Sequence, residues 1–402
     1  MTTRSIVAGK TLLSCILGAL FILTGCSQAT VQPPLSTDVA EAKGFKMAIG
    51  EPITLSQKIH IPTSGQMFDL GEQGTEVEAY YGDSLVISVH DENAARYYSY
   101  TPETQQARLI GSTPALQLGS GSSVITRNDR MFTAYAFGNE KKSVFLEMNL
   151  NKGGVRQITH FDWWPPFQYF ALTEKDEVLY FSPKKDERAE NGEVYSYHIS
   201  RYSPTTEKTE ELIHLPDSTI EGISCFDYAN QKIYTYQFSA ENASKHYTLC
   251  SYQPSGKLSD RYDMTEVNKQ IWEANDAVCD LVVFKNYFFM WSLNGRFISL
   301  QNNDGIQPMS ITGESSGIQY YESKKNAPGS FGCLYSQHTN EIIRYDESRQ
   351  CFVKQLLQLD KNCMVNCIFV NENGDMIVKL VLDAGEKNEE VVYYSLPLSG
   401  TH

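Results

Sequence analysis

Between residues 75 and 396 the chain repeats one arrangement of apolar and polar positions. A short apolar run leads into a polar turn, then an aromatic-rich run, a loop, another run, a turn with Gly or charged residues, and a last run. The two middle runs are the easiest to recognise: Ser84–Val89 with Arg96–Tyr100, Arg130–Ala136 with Ser143–Met148, Glu177–Ser182 with Glu193–Tyr202, and Lys232–Phe238 with Tyr247–Tyr252. Tyr287–Ser292 with Arg296–Leu300, Gly332–Ser336 with Glu341–Tyr345, and Asp375–Leu382 with Glu390–Leu396 complete the series. Runs of this length, rich in Val, Ile, Tyr and Phe and bounded by turn formers, read as β-strands. Helical periodicity is nearly absent, and only Met264–Ala274 has the pattern of a short helix.

The third strand of each unit begins at residue 96, 143, 193, 247, 296, 341 and 390, a spacing of 45 to 54 residues. Tyr100–Thr104, Tyr202–Thr206, Tyr252–Gly256 and Tyr345–Arg349 fall at equivalent places, each an aromatic followed by turn formers. Four strands per unit at this period is the range of a β-propeller. The expected fold is therefore all-β: a seven-bladed β-propeller of four-stranded antiparallel blades, with six or eight blades as alternative counts. A pair of β-sandwiches or a β-solenoid is the rival architecture. The seventh unit stops after its third strand, while strand-like Pro52–Ile61 precedes the first unit. A ring avoids open edges by pairing the two, so Pro52–Ile61 is expected as the outer strand of the last blade. The units resemble those of bacterial extracytoplasmic β-propeller lipoproteins, including families with low-density-lipoprotein-receptor-type or WD40-like repeats. The resemblance covers most of 75–396 and rests on pattern, since no WD dipeptide or kelch double glycine recurs.

The first 26 residues add a location. Arg4 and Lys10 form a positive start, Thr11–Leu23 is mostly apolar, and Leu23-Thr24-Gly25-Cys26 follows at once. An apolar run of about a dozen residues is shorter than the ~20 a membrane-spanning helix needs, and it reads as an export signal. Its end resembles the bacterial lipobox, which implies cleavage before Cys26 and acylation of that residue. Two or three acyl chains, at roughly 0.8 kcal/mol per buried CH₂, hold a protein durably at a membrane. The expected organisation is a signal peptide over 1–25, lipidated Cys26 with a Pro- and Ser/Thr-containing spacer to residue 50, and one propeller domain over 51–398. Trimming residues 1–25 moves the net charge from −14 to −16, which disfavours nucleic acid. A monomer is expected.

Of nine cysteines, Cys15 lies in the signal and Cys26 at the lipid site. The remaining seven, scattered through apolar runs, do not form a disulfide framework and read as buried small hydrophobes. The Cys363/Cys367 pair is a weak bridge or metal signal. The sequence carries no nucleophile elbow, HExxH pair, phosphate loop or EF-hand loop, so no cofactor, metal or enzymatic activity is expected. The charged stretch 183–193 reads as a protruding, solvated loop. The strongest binding signal is aromatic. Trp163 and Trp164, in the proline-stiffened stretch His160–Phe167, and Trp272 fall in blade-to-blade connections on one face of the ring, with His160 beside them. Rigid aromatic area of this kind grips a partner at low entropic cost. The function expected is a membrane-anchored extracytoplasmic scaffold binding a protein or cell-envelope polymer. The alternatives are a glycan- or peptide-processing enzyme with its site in the central channel, and a solute-binding sensor or transport accessory.

Overall fold

In Ser84–His90 five consecutive residues, Leu85 to Val89, are buried. A strand with one wet face alternates between apolar and polar residues, whereas a run buried throughout belongs to a sheet covered on both sides. The computed structural model shows how this cover arises. It describes residues 47–55, 57–61, 75–90, 93–114, 120–137, 142–161, 170–182, 184–186, 194–215, 221–241, 244–264, 267–269, 278–292, 294–303, 305–309, 317–321, 331–360, 362–383 and 390–396. Cys26 lies outside the described residues.

Seven antiparallel sheets form a ring. From inner to outer strand, blade 1 is Thr75–Tyr81, Ser84–His90, Ala94–Thr101 and Gln106–Pro114, and blade 2 is Ser120–Ile125, Arg130–Phe137, Lys142–Asn149 and Val155–Phe161. Blade 3 is Phe170–Leu172, Val178–Phe181, Val194–Ser203 and Lys208–Leu215, and blade 4 is Glu221–Ala229, Lys232–Glu241, Ser244–Tyr252 and Leu258–Tyr262. Blade 5 is Val278–Phe284, Tyr287–Ser292, Phe297–Asn302 and Ile306–Met309, and blade 6 is Ile318–Tyr321, Cys333–Ser336, Glu341–Asp346 and Cys351–Gln358. Blade 7 is Cys363–Val370, Met376–Leu382, Glu390–Leu396 and the N-terminal strand Lys58–Ile59. The seven blades and their antiparallel order agree with the sequence reading. Within the stretch 183–193, Lys184–Asp186 is a strand pairing with Val194–Ser196, which lengthens the blade 3 hairpin. Val267–Lys269 is helical.

Apolar side chains collect in seven clusters, one in each gap between neighbouring blades. Val86, Tyr97 and Ile110 meet Met131 and Leu146 between blades 1 and 2, and Phe132 and Phe145 meet Leu172 and Tyr180 between blades 2 and 3. Ile199 and Ile213 meet Phe226 and Ile233 across the next gap, and Tyr236 and Leu249 meet Val283 and Phe288 across the one after. Phe289 and Trp291 meet Leu334 and Phe352 between blades 5 and 6, and Tyr335 and Ile342 meet Val365 and Val378 between blades 6 and 7. Ile377 and Tyr393 meet Leu85, Ile87 and Tyr100 where blade 7 rejoins blade 1. Each middle strand sends alternate side chains into opposite gaps, which accounts for its nearly unbroken apolar run.

Closure involves more of the N-terminal segment than the expected single strand. Lys58 and Ile59 pair antiparallel with Tyr394 and Tyr393, as the missing outer strand of blade 7 requires. Met47–Ile49 and Ile53–Thr54 instead pair parallel with the outer strand of blade 6, opposite Phe352–Lys354 and Leu357–Gln358. Pro52–Ile61 is thus divided between two blades. Met47 packs on the cluster between blades 5 and 6, Ile53 in that between 6 and 7, and Ile59 and Ile61 on that between 7 and 1. The Tyr100 hydroxyl donates to the His60 carbonyl at 2.9 Å, which links the segment to blade 1.

Polar contacts add a second set of links on the face of the ring that carries the hairpin turns. The Tyr81 hydroxyl donates to Asp129, Arg127 pairs with Asp176 at 3.9 Å, and the Tyr228 hydroxyl donates to Glu174. Asn230 Nδ2 donates to the Lys285 carbonyl at 2.6 Å, Lys285 pairs with Glu347 at 3.0 Å, and Asn371 Nδ2 donates to the Gly82 carbonyl at 3.1 Å. Asn230 and Gln231 both have positive φ, 53° and 59°, the signature of a two-residue type I′ hairpin. That tight turn carries the Asn230 side chain toward blade 5.

Candidate functional site

Strand direction fixes which loops share a face. The hairpins between inner and second strands, and between third and outer strands, lie on one face of the ring. Blade-to-blade connections and the loops between second and third strands lie on the other. His160 is on the outer strand of blade 2, exposed and opposite Val144. The strand therefore carries it to that second face as a surface group at the entrance to segment 162–169. Trp163 and Trp164, in that segment, and Trp272, in 270–277, lie outside the described residues. Their flanking strands, Val155–Phe161 to Phe170–Leu172 and Leu258–Tyr262 to Val278–Phe284, belong to the same type of blade-to-blade connection. The fourth tryptophan, Trp291, is core: its indole N–H donates to the Ile318 carbonyl at 2.7 Å, joining blade 5 to blade 6.

The same face carries a polar cluster at the loop end of blade 1. A bulge between Val77 and Ala79 inserts Glu78 into the inner strand, and Glu76 pairs with Ser88. The buried Ser88 hydroxyl donates to Glu78 Oε1 at 2.6 Å, and His90 Nε2 lies 3.0 Å from the same hydroxyl. His90 Nδ1 is buried and has no hydrogen-bond partner among the described residues. Glu76, Glu78 and His90 each offer one donor atom, and the three lie within 4.8 Å of one another. Across the gap to blade 7, burial, then Cys367 and Glu76, push the Tyr393 phenol up to about 12. The arrangement is a neutral imidazole beside two carboxylates, chemistry suited to receiving a cationic or hydrogen-bond-donating group. Sequence reasoning missed it. The available signal was polar residues at alternate positions, Glu76/Glu78 and Ser88/His90, at one end of a hairpin.

Bulges also interrupt the inner strands of blades 2, 4, 5 and 7. Asp227 and Asp280, on the inner strands of blades 4 and 5, accept backbone hydrogen bonds. Asp227 takes Val283 N–H at 2.6 Å and Tyr228 N–H at 2.7 Å, and Asp280 takes Leu281 N–H at 2.8 Å. The Asp227 bond to Val283 ties the inner strands of blades 4 and 5 together. Cys225, Cys250, Cys333 and Cys351 are buried, Cys279, Cys363 and Cys367 partly so, and all seven are free thiols. Burial pushes the Cys225 and Cys333 thiols up, the opposite of what a reactive thiolate needs.

His90 supplies a pH prediction. Burial holds its imidazole below the ordinary 6.5, with the Glu76 charge opposing. As pH falls the unfolded chain takes up a proton before the folded one, so this stability is present above about 6.5 and lost as pH drops through the folded value. Urea unfolding between about pH 7 and pH 5 should show stability falling, with a shallower fall in His90→Gln. Equal slopes in the two proteins would remove His90 from that role.

No protein-family model matches the sequence, and no curated protein matches it. Solved structures of similar fold include an oligogalacturonate lyase from Vibrio parahaemolyticus, 12% identical, covering 88% of this chain and 100% of that one at a TM-score of 0.48. Polysaccharide lyase Uly1 is 8% identical, with 92% and 95% of the two chains covered and a TM-score of 0.48. The WD40 β-propeller domain of Doa1 is 12% identical, with 86% and 97% covered and a TM-score of 0.45. The class of the chain follows from its own strand order: it is a seven-bladed β-propeller.

Proposed function

We propose that the protein is a lipid-anchored, extracytoplasmic recognition propeller, held to the membrane through Cys26, that binds a protein or cell-envelope polymer with the loop face of its ring. The observation that carries the reading is topological. The segments bearing Trp163, Trp164 and Trp272 both run from an outer strand to the next inner strand, and the Glu76/Glu78/Ser88/His90 cluster sits at the same end of blade 1. Clusters in every inter-blade gap make the ring a stiff frame, and a stiff frame presents loops with little entropy left to lose on binding. The lipobox-like Leu23-Thr24-Gly25-Cys26 supports the anchor. Propellers serve many functions, so function follows from the site and not from the fold.

Two variants test the two halves. In the host cell, Cys26→Ser should move the protein from the membrane fraction to the soluble exported fraction and remove the acyl mass from its N-terminal peptide. Membrane retention without acyl mass would contradict the anchor. Pull-downs from detergent-solubilised membranes and binding to purified envelope glycans should recover a ligand that the Trp163→Ala/Trp164→Ala/Trp272→Ala variant binds at least about tenfold more weakly, at unchanged thermal stability. Recovery of nothing by the wild type, or equal binding by the variant, would sink the binding role of this face.

A further inference from the structure

We propose that His198, Glu211 and His214, on the two outermost strands of blade 3, form a binding site for a divalent transition cation of the Zn²⁺ class. His198 on the third strand and His214 on the outer strand are directly opposed across the pair. Their rings lie 4.4 Å apart, edge to face. Glu211 stands between them, one carboxylate oxygen 2.7 Å from His198 Nδ1 and the other 3.2 Å from His214 Nδ1. One donor atom from each residue falls within 4.8 Å of the others.

The local fold brings the third donor in. On a regular strand residues 211 and 214, three apart, face opposite sides. Here the pairing shifts: Ile199 is opposite Ile213, but Ser200 is opposite Glu211, which leaves Leu212 as an extra residue. Such a bulge re-aims a side chain, and it turns Glu211 to the side of His214. The bulge is pinned from blade 4. A Cβ on Gly256, whose φ is +81°, would sit 2.0 Å from the Leu212 carbonyl oxygen, so only glycine permits this approach. Arg201 donates to the Pro254 carbonyl in the same turn at 3.4 Å. On the reverse side Ile199 and Ile213 are buried in the gap to blade 4. The donors therefore stand on a fixed platform.

Their chemistry selects the ion. Two imidazoles and one carboxylate suit Zn²⁺, Co²⁺, Ni²⁺ or Cu²⁺, whereas Ca²⁺ and Mg²⁺ take oxygen ligands. A tetrahedral ion with ligand bonds of about 2.0–2.2 Å holds its donors about 3.4 Å apart, so modest side-chain rotation closes the set. Exposure grades from His198 at 2% through Glu211 at 34% to His214 at 48% of the side chain. An ion enters from the His214 side, and a fourth position remains for water or a ligand. The blade 1 cluster differs in donor type, with two carboxylates and one imidazole, and its His90 and Glu78 are both engaged by Ser88.

The test is titration of the metal-stripped protein with Co²⁺, read by visible absorption, and with Zn²⁺ against a chromophoric chelator. The expected result is one equivalent bound, with the absorption of a four-coordinate Co²⁺ site and a Zn²⁺-dependent rise in thermal stability. His214→Gln, at an exposed position, and Glu211→Gln should each weaken binding at least about tenfold with the apo-protein's melting unchanged, while His90→Gln should leave binding intact. No binding by the wild type, unchanged affinity in His214→Gln, or loss of binding in His90→Gln would each overturn the assignment.

Discussion

Phe352→Ala is expected to lower the unfolding free energy by about 3–5 kcal/mol, the range for a large aromatic removed from a core that cannot collapse around the cavity. Phe352 is fully buried on the outer strand of blade 6, in the cluster shared with blade 5. Its ring lies 5.1 Å from Tyr287 and from Tyr345, 5.3 Å from Phe331, 5.9 Å from Phe289 and 6.2 Å from Phe284, all edge to face. Aromatic pairs contribute beyond the area they bury, so the upper half of the range is expected. Met47 of the N-terminal segment packs on the same cluster, which couples this gap to closure. The control is Leu109→Ala on the outer strand of blade 1, 54% exposed, where a change within about 0.5 kcal/mol is expected. Urea unfolding of both variants measures the difference, and equal losses would contradict the placement of Phe352 in the gap.

Glu147→Ala is expected to cost about 2–3 kcal/mol. The carboxylate is 6% exposed and bonds two guanidiniums, Arg130 Nη1 at 2.6 Å and Arg156 Nε at 3.1 Å, with Arg156 Nη2 also donating to it. Both arginines reach onward to blade 3: Arg130 to the Pro204 carbonyl at 3.3 Å, Arg156 to the Tyr202 hydroxyl at 2.8 Å and Glu207 at 2.7 Å. The hydrogen bond to Glu147 is the main reason the Arg156 pKa rises above its ordinary value. Removing one partner of a fully buried pair costs about 3–5 kcal/mol, but these arginines are 32% and 42% exposed and water recovers part of the loss. In a double-mutant cycle with Tyr202→Phe the losses should fail to add, because Arg156 touches both groups. Additive losses would mean that Glu147 does not orient Arg156 toward blade 3.

The repeats were legible because a blade covered on both faces needs apolar residues at successive positions, as in Leu85–Val89, and because each unit has the same four strands to complete. Lys58–Ile59 was legible as the strand missing from blade 7. The parallel pairing of Met47–Ile49 and Ile53–Thr54 was not, since these strands span three residues and two and no hairpin turn announces a parallel neighbour. Side-chain constellations were harder still. Glu76 meets His90, and Glu211 meets His198, only through strand register and a bulge at Glu78 or Leu212. A slip of one residue sends every side chain to the other face, and a scan for metal or catalytic motifs along the chain finds neither group. His160, Trp163, Trp164 and Trp272 stand out in the sequence by residue type and loop position; of these His160 is described, and it is the penultimate residue of the outer strand of blade 2.

The ring depends on the N-terminal segment bridging blades 6, 7 and 1, and hydrogen exchange read by mass spectrometry tests that directly. Peptides covering 47–61 should exchange slowly, and with the same midpoint in urea as peptides covering Cys351–Gln358 and Glu390–Leu396. Exchange of 47–61 at the rate of an unstructured chain, with those two strands still protected, would contradict the closure.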